Sequence, residues 1–271
     1  MNLSDATLYL ASAYLSIKAA SFVYTKIVTS SSEAKLEERL NSEPEGKNGL
    51  PDNYAVLISG LTESRHLKNM ILAYNTLLYL GFQEQNIYVL DSKGAERLNY
   101  KVDGPATKSA IEKVFSHLKS KTDSEDFLFT YVTNHGGRSS GESTIALPGP
   151  DVGEETFENF LSGMEVKKGV LVFDQCYGGG FAKRLGKGRF VAVSASHPGE
   201  NSIDNSFPQA FFNSFNYAVG DMNGDGLVSI EEAFNYALRH DMFALRGMQH
   251  PMIVSDLSPG RIFLKDRVNY S

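Results

Sequence analysis

The chain has a single cysteine, and an apolar run delivers it: Gly169-Val170-Leu171-Val172-Phe173-Asp174-Gln175-Cys176, followed by Tyr177 and three glycines. Upstream, Phe127-Leu128-Phe129-Thr130-Tyr131-Val132-Thr133-Asn134 leads in the same way to His135, Gly136 and Gly137. A thiol and an imidazole at the ends of two similar strands are the parts of a nucleophile and its general base. The neighbouring glycines let a substrate carbonyl approach backbone N–H groups near Gly136 and Cys176, the arrangement of an oxyanion hole. A lone cysteine is more often a small buried hydrophobe, and a lone histidine more often structural. The shared grammar of the two segments is what favours catalysis here.

A second chemical pattern is Asp221-Met222-Asn223-Gly224-Asp225-Gly226-Leu227-Val228-Ser229-Ile230-Glu231-Glu232. It fits an EF-hand loop, with Asp221, Asn223, Asp225 and Ser229 at positions one, three, five and nine. Gly226 stands at the sharp turn, Leu227 offers its carbonyl, and Glu232 is the bidentate ligand. One bound Ca²⁺ is the expectation, structural or activating because the loop has no paired partner loop. The competing reading is a metal-free Asx-rich turn that caps a helix.

Strands and helices must alternate to position these groups. Strands are expected at 54–59, 86–90, 143–147 and 190–194, besides the two that end in His135 and Cys176. Helices are expected at 67–80, 106–118, 156–164, 207–219 and 231–242, from apolar residues at helical spacing. That order predicts an α/β fold, a three-layer sandwich with a mostly parallel sheet and helices on both faces. Ligands bind such sheets at the carboxyl ends of the strands. The aromatic stripe in 207–219 reads as core.

Composition narrows the partners. Lys and Arg total 26 against 32 Asp and Glu, a net charge of −6, with no basic run, so nucleic-acid binding is not expected. One cysteine excludes an internal disulfide framework. Residues 1–28 carry apolar residues almost all round a helix, and 3–28 lack the basic start of an export signal. A helix packed on its own domain or a partner is favoured over an export or anchor segment, membrane contact is not favoured, and cytoplasmic placement is preferred to export. Residues 29–52 read as a polar linker with one short helix at 33–40, and the core domain as 53–271. Removal of 1–52 to uncover the rim is a further expectation, and oligomeric state is left open.

Taken together, the chain resembles the legumain-like cysteine peptidases, within the caspase, metacaspase and gingipain clan. The resemblance is carried by the runs ending Asn134-His135-Gly136 and Asp174-Gln175-Cys176, by Tyr54–Gly60 with Ser64-Arg65-His66, and by Ser194–Ser202. It implies a caspase-like fold and a protein or peptide substrate. It implies Cys176 as nucleophile, His135 as base and Gly136 at the oxyanion position. Arg65, Asp174 and Ser202 match the pocket, with Arg65 and Asp174 reading the two ends of an Asn carboxamide, or an Asp side chain at acidic pH. Asp174 stands where legumain-like enzymes carry Glu, and Glu63 where they carry Asn. An Asp two before the cysteine is also the metacaspase arrangement, which goes with Arg or Lys selection. Transpeptidation or ligation, and a silent Ca²⁺-binding adaptor, are the remaining alternatives.

Overall fold

The computed structural model describes residues 30–43, 46–61, 63–203 and 205–264. The apolar segment 3–28 lies outside the described residues, and among those described no helix is long and apolar enough to cross a membrane. The elements are helix α1 over 30–42, β1 (Asn53–Ser59), α2 (Ser64–Tyr79), β2 (Ile87–Asp91), α3 (Lys108–Lys121) and β3 (Phe127–Thr133). They continue with β4 (Gly136–Ser139), β5 (Glu142–Ile145), β6 (Val152–Gly153), α4 (Glu154–Leu161), β7 (Lys168–Phe173) and α5 (Gly178–Leu185). The rest are β8 (Phe190–Ser194), α6 (Ser206–Asn213), α7 (Tyr217–Gly220), α8 (Ile230–His240), α9 (Met242–Leu245) and β9 (Met252–Val254).

The main sheet runs β2-β1-β3-β7-β8-β9, parallel except for β9 at one edge. Its central strands are mostly apolar because both faces are covered, and the period-two alternation decides which residue meets which layer. Ala55 and Leu57 pack with Met70, Ala73 and Leu77 of α2, Phe211 of α6 and Ala233 of α8. Val56 and Ile58 turn to the other face, with Phe115 of α3, Phe157 of α4 and Phe181 of α5. The result is the expected α/β three-layer sandwich with a mostly parallel sheet, and the aromatics of α6 are core. A second sheet, β4-β5-β6, is antiparallel and springs directly from the segment of His135.

Four local features that the sequence reading misplaced or left unassigned have physical causes. Helix α2 starts at Ser64 rather than Leu67, so Arg65 and His66 sit in its first turn. The expected helix over 207–219 breaks into α6 and α7, where the Gly220 backbone lies so close to the Ser214 carbonyl that a Cβ would fall 1.7 Å from its oxygen. The glycines after Cys176 open α5, buried against Phe173, Pro198 and Ser143, where larger residues would not fit. The fourth feature concerns 29–52, whose described part is no free linker. Leu36 of α1 is fully buried in the core, and Arg39 reaches the Ile87 carbonyl at the β2 edge and ion-pairs with Asp103. Glu43 receives Tyr88, His117 and Lys121, which hold its carboxyl well below the usual range despite burial. Helix α1 thus meets the β2 edge at Ile87, beyond which residues 103 and 104 bond to it at Val89 and Asp91, and the folded domain reaches back to residue 30, not 53.

Candidate active site

Strands β3 and β7 pair in parallel with Val132 opposite Phe173. His135 and Cys176 lie three residues beyond this pair, so both emerge on one rim. The closeness of the two segments is set by Gly136, where a Cβ would fall 1.9 Å from the Cys176 carbonyl oxygen. Strand β1 has β2 on one side and β3 on the other, so the crevice opens where the strand order reverses. Into it the loop after β1 brings Glu63, and the first turn of α2 brings Arg65 and His66. Tyr177 takes a left-handed conformation, φ 60°, which turns the chain from the β7 end into α5. The loop after β8 closes the far side. The Tyr177 N–H donates to the Glu200 carbonyl at 2.8 Å, Ser196 Oγ accepts from the Gly178 N–H, and Cys176 Sγ donates to the Ser202 carbonyl at 3.7 Å.

The partners of His135 determine its tautomer. Nε2 lies 2.9 Å from Glu63 Oε1, and a carboxylate accepts, so Nε2 carries the hydrogen. Arg65 Nη2 lies 3.0 Å from Nδ1 and 3.1 Å from Nε2; a guanidinium only donates, and with the Nε2 hydrogen directed at Glu63, Nδ1 is the ring nitrogen left to accept from it. Glu63 is the N-cap residue of α2, yet its carboxylate makes no cap bond. It is spent on His135 and on Arg65 Nε, and these bonds hold its carboxyl below the ordinary range. Asn134 braces the turn from both sides, accepting the His135 N–H at 2.7 Å and donating to the Ala146 carbonyl.

Asp174 is buried at the floor. Asn69 Nδ2, Tyr131 Oη and Thr133 Oγ1 donate to its Oδ2 at 3.0, 3.2 and 2.9 Å, while Oδ1 has no partner among the described residues. Burial pushes its carboxyl up to about 7, against the opposing pull of those donors and of the Arg65 charge. His66 is pushed the other way, to about 4, by burial first and by Arg65 second. Arg65, His66, Asp174, Cys176, Ser202 and Asn205 line one small cavity at this floor. The structure thus brings Arg65, Asp174, Cys176 and Ser202 to one cavity, with His135 held against Arg65 and Gly136 against the Cys176 carbonyl, and one detail differs from the sequence expectation. Arg65 is hydrogen-bonded to Glu63 and His135 instead of facing Asp174 as a partner. Asn69, Thr133 and Tyr131 were not anticipated; Asn69 lies one helical turn beyond Arg65 on α2, the only signal that could have pointed to it.

The loop 221–232 lies apart from this rim, between α7 and α8. Asp221 accepts the N–H groups of Gly224, Asp225 and Gly226, Asn223 accepts that of Asp225, and Asp225 that of Leu227. Ser229 caps α8 in a reciprocal box with Glu232, which also accepts the Met222 and Asn223 N–H groups. Gly226 has φ +83°, the conformation that the turn position requires. A bridge from Ser229 to Phe263 occupies the edge at which a second loop would pair.

No curated protein matches the chain. The model of the Peptidase C13 family matches residues 107–215, from the start of α3 to the end of α6, a stretch that leaves out Arg65 and the loop 221–232. With His135 and Cys176 both inside the matched residues and the sheet order described above, that match identifies the protein as a cysteine peptidase with a caspase-like α/β fold.

Proposed function

We propose that the protein is an endopeptidase that cleaves after Asn through a Cys176–His135 dyad. The observation that carries the specificity is the unpartnered Asp174 Oδ1 in a cavity shared with Arg65 and Cys176. A buried acceptor without a donor costs about 1–3 kcal/mol, and the NH₂ of an Asn side chain supplies the missing donor. Arg65 completes the reading by turning from His135 to the carboxamide oxygen. That movement frees His135 Nδ1, which takes the Cys176 proton, and the thiolate attacks the scissile carbonyl. The N–H groups of Gly136 and Cys176 receive the oxyanion. His135, held through Nε2 by Glu63, returns the proton to the leaving amine, and water releases the acyl group. An amine in place of water gives transpeptidation by the same route.

Cleavage of a pooled peptide library by the full chain tests the pocket. Cuts after Asn support it, and cuts after Arg or Lys assign Asp174 to a cationic side chain instead. The raised Asp174 carboxyl adds a pH signature. Above about 7 it is ionised and repels a P1 carboxylate; below about 7 it is protonated and the repulsion ends. The ratio of Asp to Asn cleavage should rise as pH falls from 8 to 5, by up to about tenfold per unit while one group titrates. A ratio flat over this range would refute the role given to Asp174.

The loop 221–232 is proposed as a Ca²⁺ site, with Asp221, Asn223, Asp225, the Leu227 carbonyl, Ser229 and Glu232 as ligands. Its support is the twelve-residue pattern together with the turned backbone at Gly226 and the capped start of α8. Saturating Ca²⁺ at about a hundred times Kd adds about 2.7 kcal/mol, which for a chain of this size raises Tm by about 5 °C or more. Glu232→Gln should remove most of that increment, measured against its own chelator baseline because the substitution also weakens the cap. Equal increments in wild type and variant would overturn the assignment.

A further inference from the structure

Beside Cys176 lies a set of ligand-type atoms that the peptidase reaction uses only in part. Glu63, His66 and His135 each present one nitrogen or carboxylate oxygen, and these atoms all lie within 4.8 Å of one another. The two imidazole rings stand edge to face, 5.7 Å between centres. One carboxylate and two imidazoles are the donor set of a borderline divalent ion, with a fourth position left open. They are a poor set for Ca²⁺ or Mg²⁺, which take oxygen ligands in greater number.

His66 supplies the independent evidence. The residue is 2 % exposed. Nδ1 lies 2.9 Å from Thr133 Oγ1, and that hydroxyl donates to Asp174 at 2.9 Å. A hydroxyl has one proton to give, so towards His66 it accepts, and Nδ1 carries the ring hydrogen. Nε2 is then a lone pair, buried and without a partner among the described residues. An imidazole whose one N–H is tied to a fixed acceptor while its other nitrogen stays open is how metal-ligating histidines are oriented. Among the neighbours of Glu63 and His135, Arg65 is the cation that now answers the cluster, with contacts to both.

We propose that Glu63, His66 and His135 form a site for a divalent transition ion of the Zn²⁺ class, which displaces the Arg65 guanidinium and reversibly silences the peptidase by occupying His135. The inhibitory part rests on the reading of His135 as the catalytic base; the binding part does not. Zn²⁺ calorimetry on the full-length Cys176→Ala protein, in excess Ca²⁺ to keep the loop 221–232 filled, separates the two. The expected result is one ion per chain. His66→Gln and Glu63→Gln should each weaken binding at least tenfold, the second at an exposed position where folding is not at stake, and Arg65→Ala should tighten it. In metal-free wild type, Zn²⁺ should abolish cleavage and chelator should restore it. No binding by the Cys176→Ala protein, or binding indifferent to both His66→Gln and Glu63→Gln, overturns the site. Zn²⁺ bound by wild type but not by Cys176→Ala also overturns it, since the ion then sits on the thiolate. A metal-free wild type that cleaves no peptide would sink the peptidase reading while the calorimetry still decides the site.

Discussion

Cys176→Ala is expected to lower kcat/KM on a peptide with a single Asn by about 10⁴-fold or more. A nucleophile has no substitute in acyl transfer, and only the weak catalysis of binding and oxyanion stabilisation remains. Stability should hardly change, because the thiol is half-buried and its one polar contact among the described residues is the long bond to the Ser202 carbonyl. His135→Ala should cost nearly as much, and the double variant little more than either alone, since groups that act as a unit are not additive. The check is steady-state cleavage at matched protein concentration, with Tm to exclude unfolding. Cleavage retained by Cys176→Ala would remove the dyad from the mechanism.

Gly136→Ala should produce the second largest effect, and for a different reason. The added methyl would sit 1.9 Å from the Cys176 carbonyl oxygen and 2.9 Å from its carbonyl carbon, both backbone atoms with no rotamer to yield. The β3 and β7 ends must then separate. A displacement of about 1 Å between nucleophile and base costs about 100-fold in rate, and the strain lowers stability by about 1–3 kcal/mol. Gly137→Ala is the matched control, one residue along β4. Its Cβ would meet only Thr144 Oγ1, at 3.2 Å, so activity within a few fold of wild type is expected. Equal losses in the two variants would show that the strand β4 backbone, not the contact with Cys176, is at issue.

How much of this was legible beforehand differs by the range of the interaction. The β3 and β7 runs, their reactive ends, and the burial of the α6 aromatics follow from local apolar patterning, which reflects how many faces of an element are covered. Helix α1 was misjudged because its sequence is polar. Its hold on the domain includes one buried leucine and the Arg39 and Glu43 networks, whose partners beyond α1 lie 45 or more residues away along the chain. The start of α2 was misplaced because Glu63 spends its carboxylate on His135, and a cap residue that makes no cap bond leaves no local signature.

The amino-acid order by itself determined the α/β alternation, the delivery of His135 and Cys176 to strand ends, and the turn at Gly226 with the Ser229 cap of α8, because each depends on neighbours a few residues apart. Tertiary structure alone decided that Arg65 rests against His135, that Asp174 is a buried acid held by Asn69, Tyr131 and Thr133, and that His66 keeps an open nitrogen beside Glu63. Those facts turn on burial and on which donors meet across α2, β3 and β7, and no local pattern in one chain encodes them.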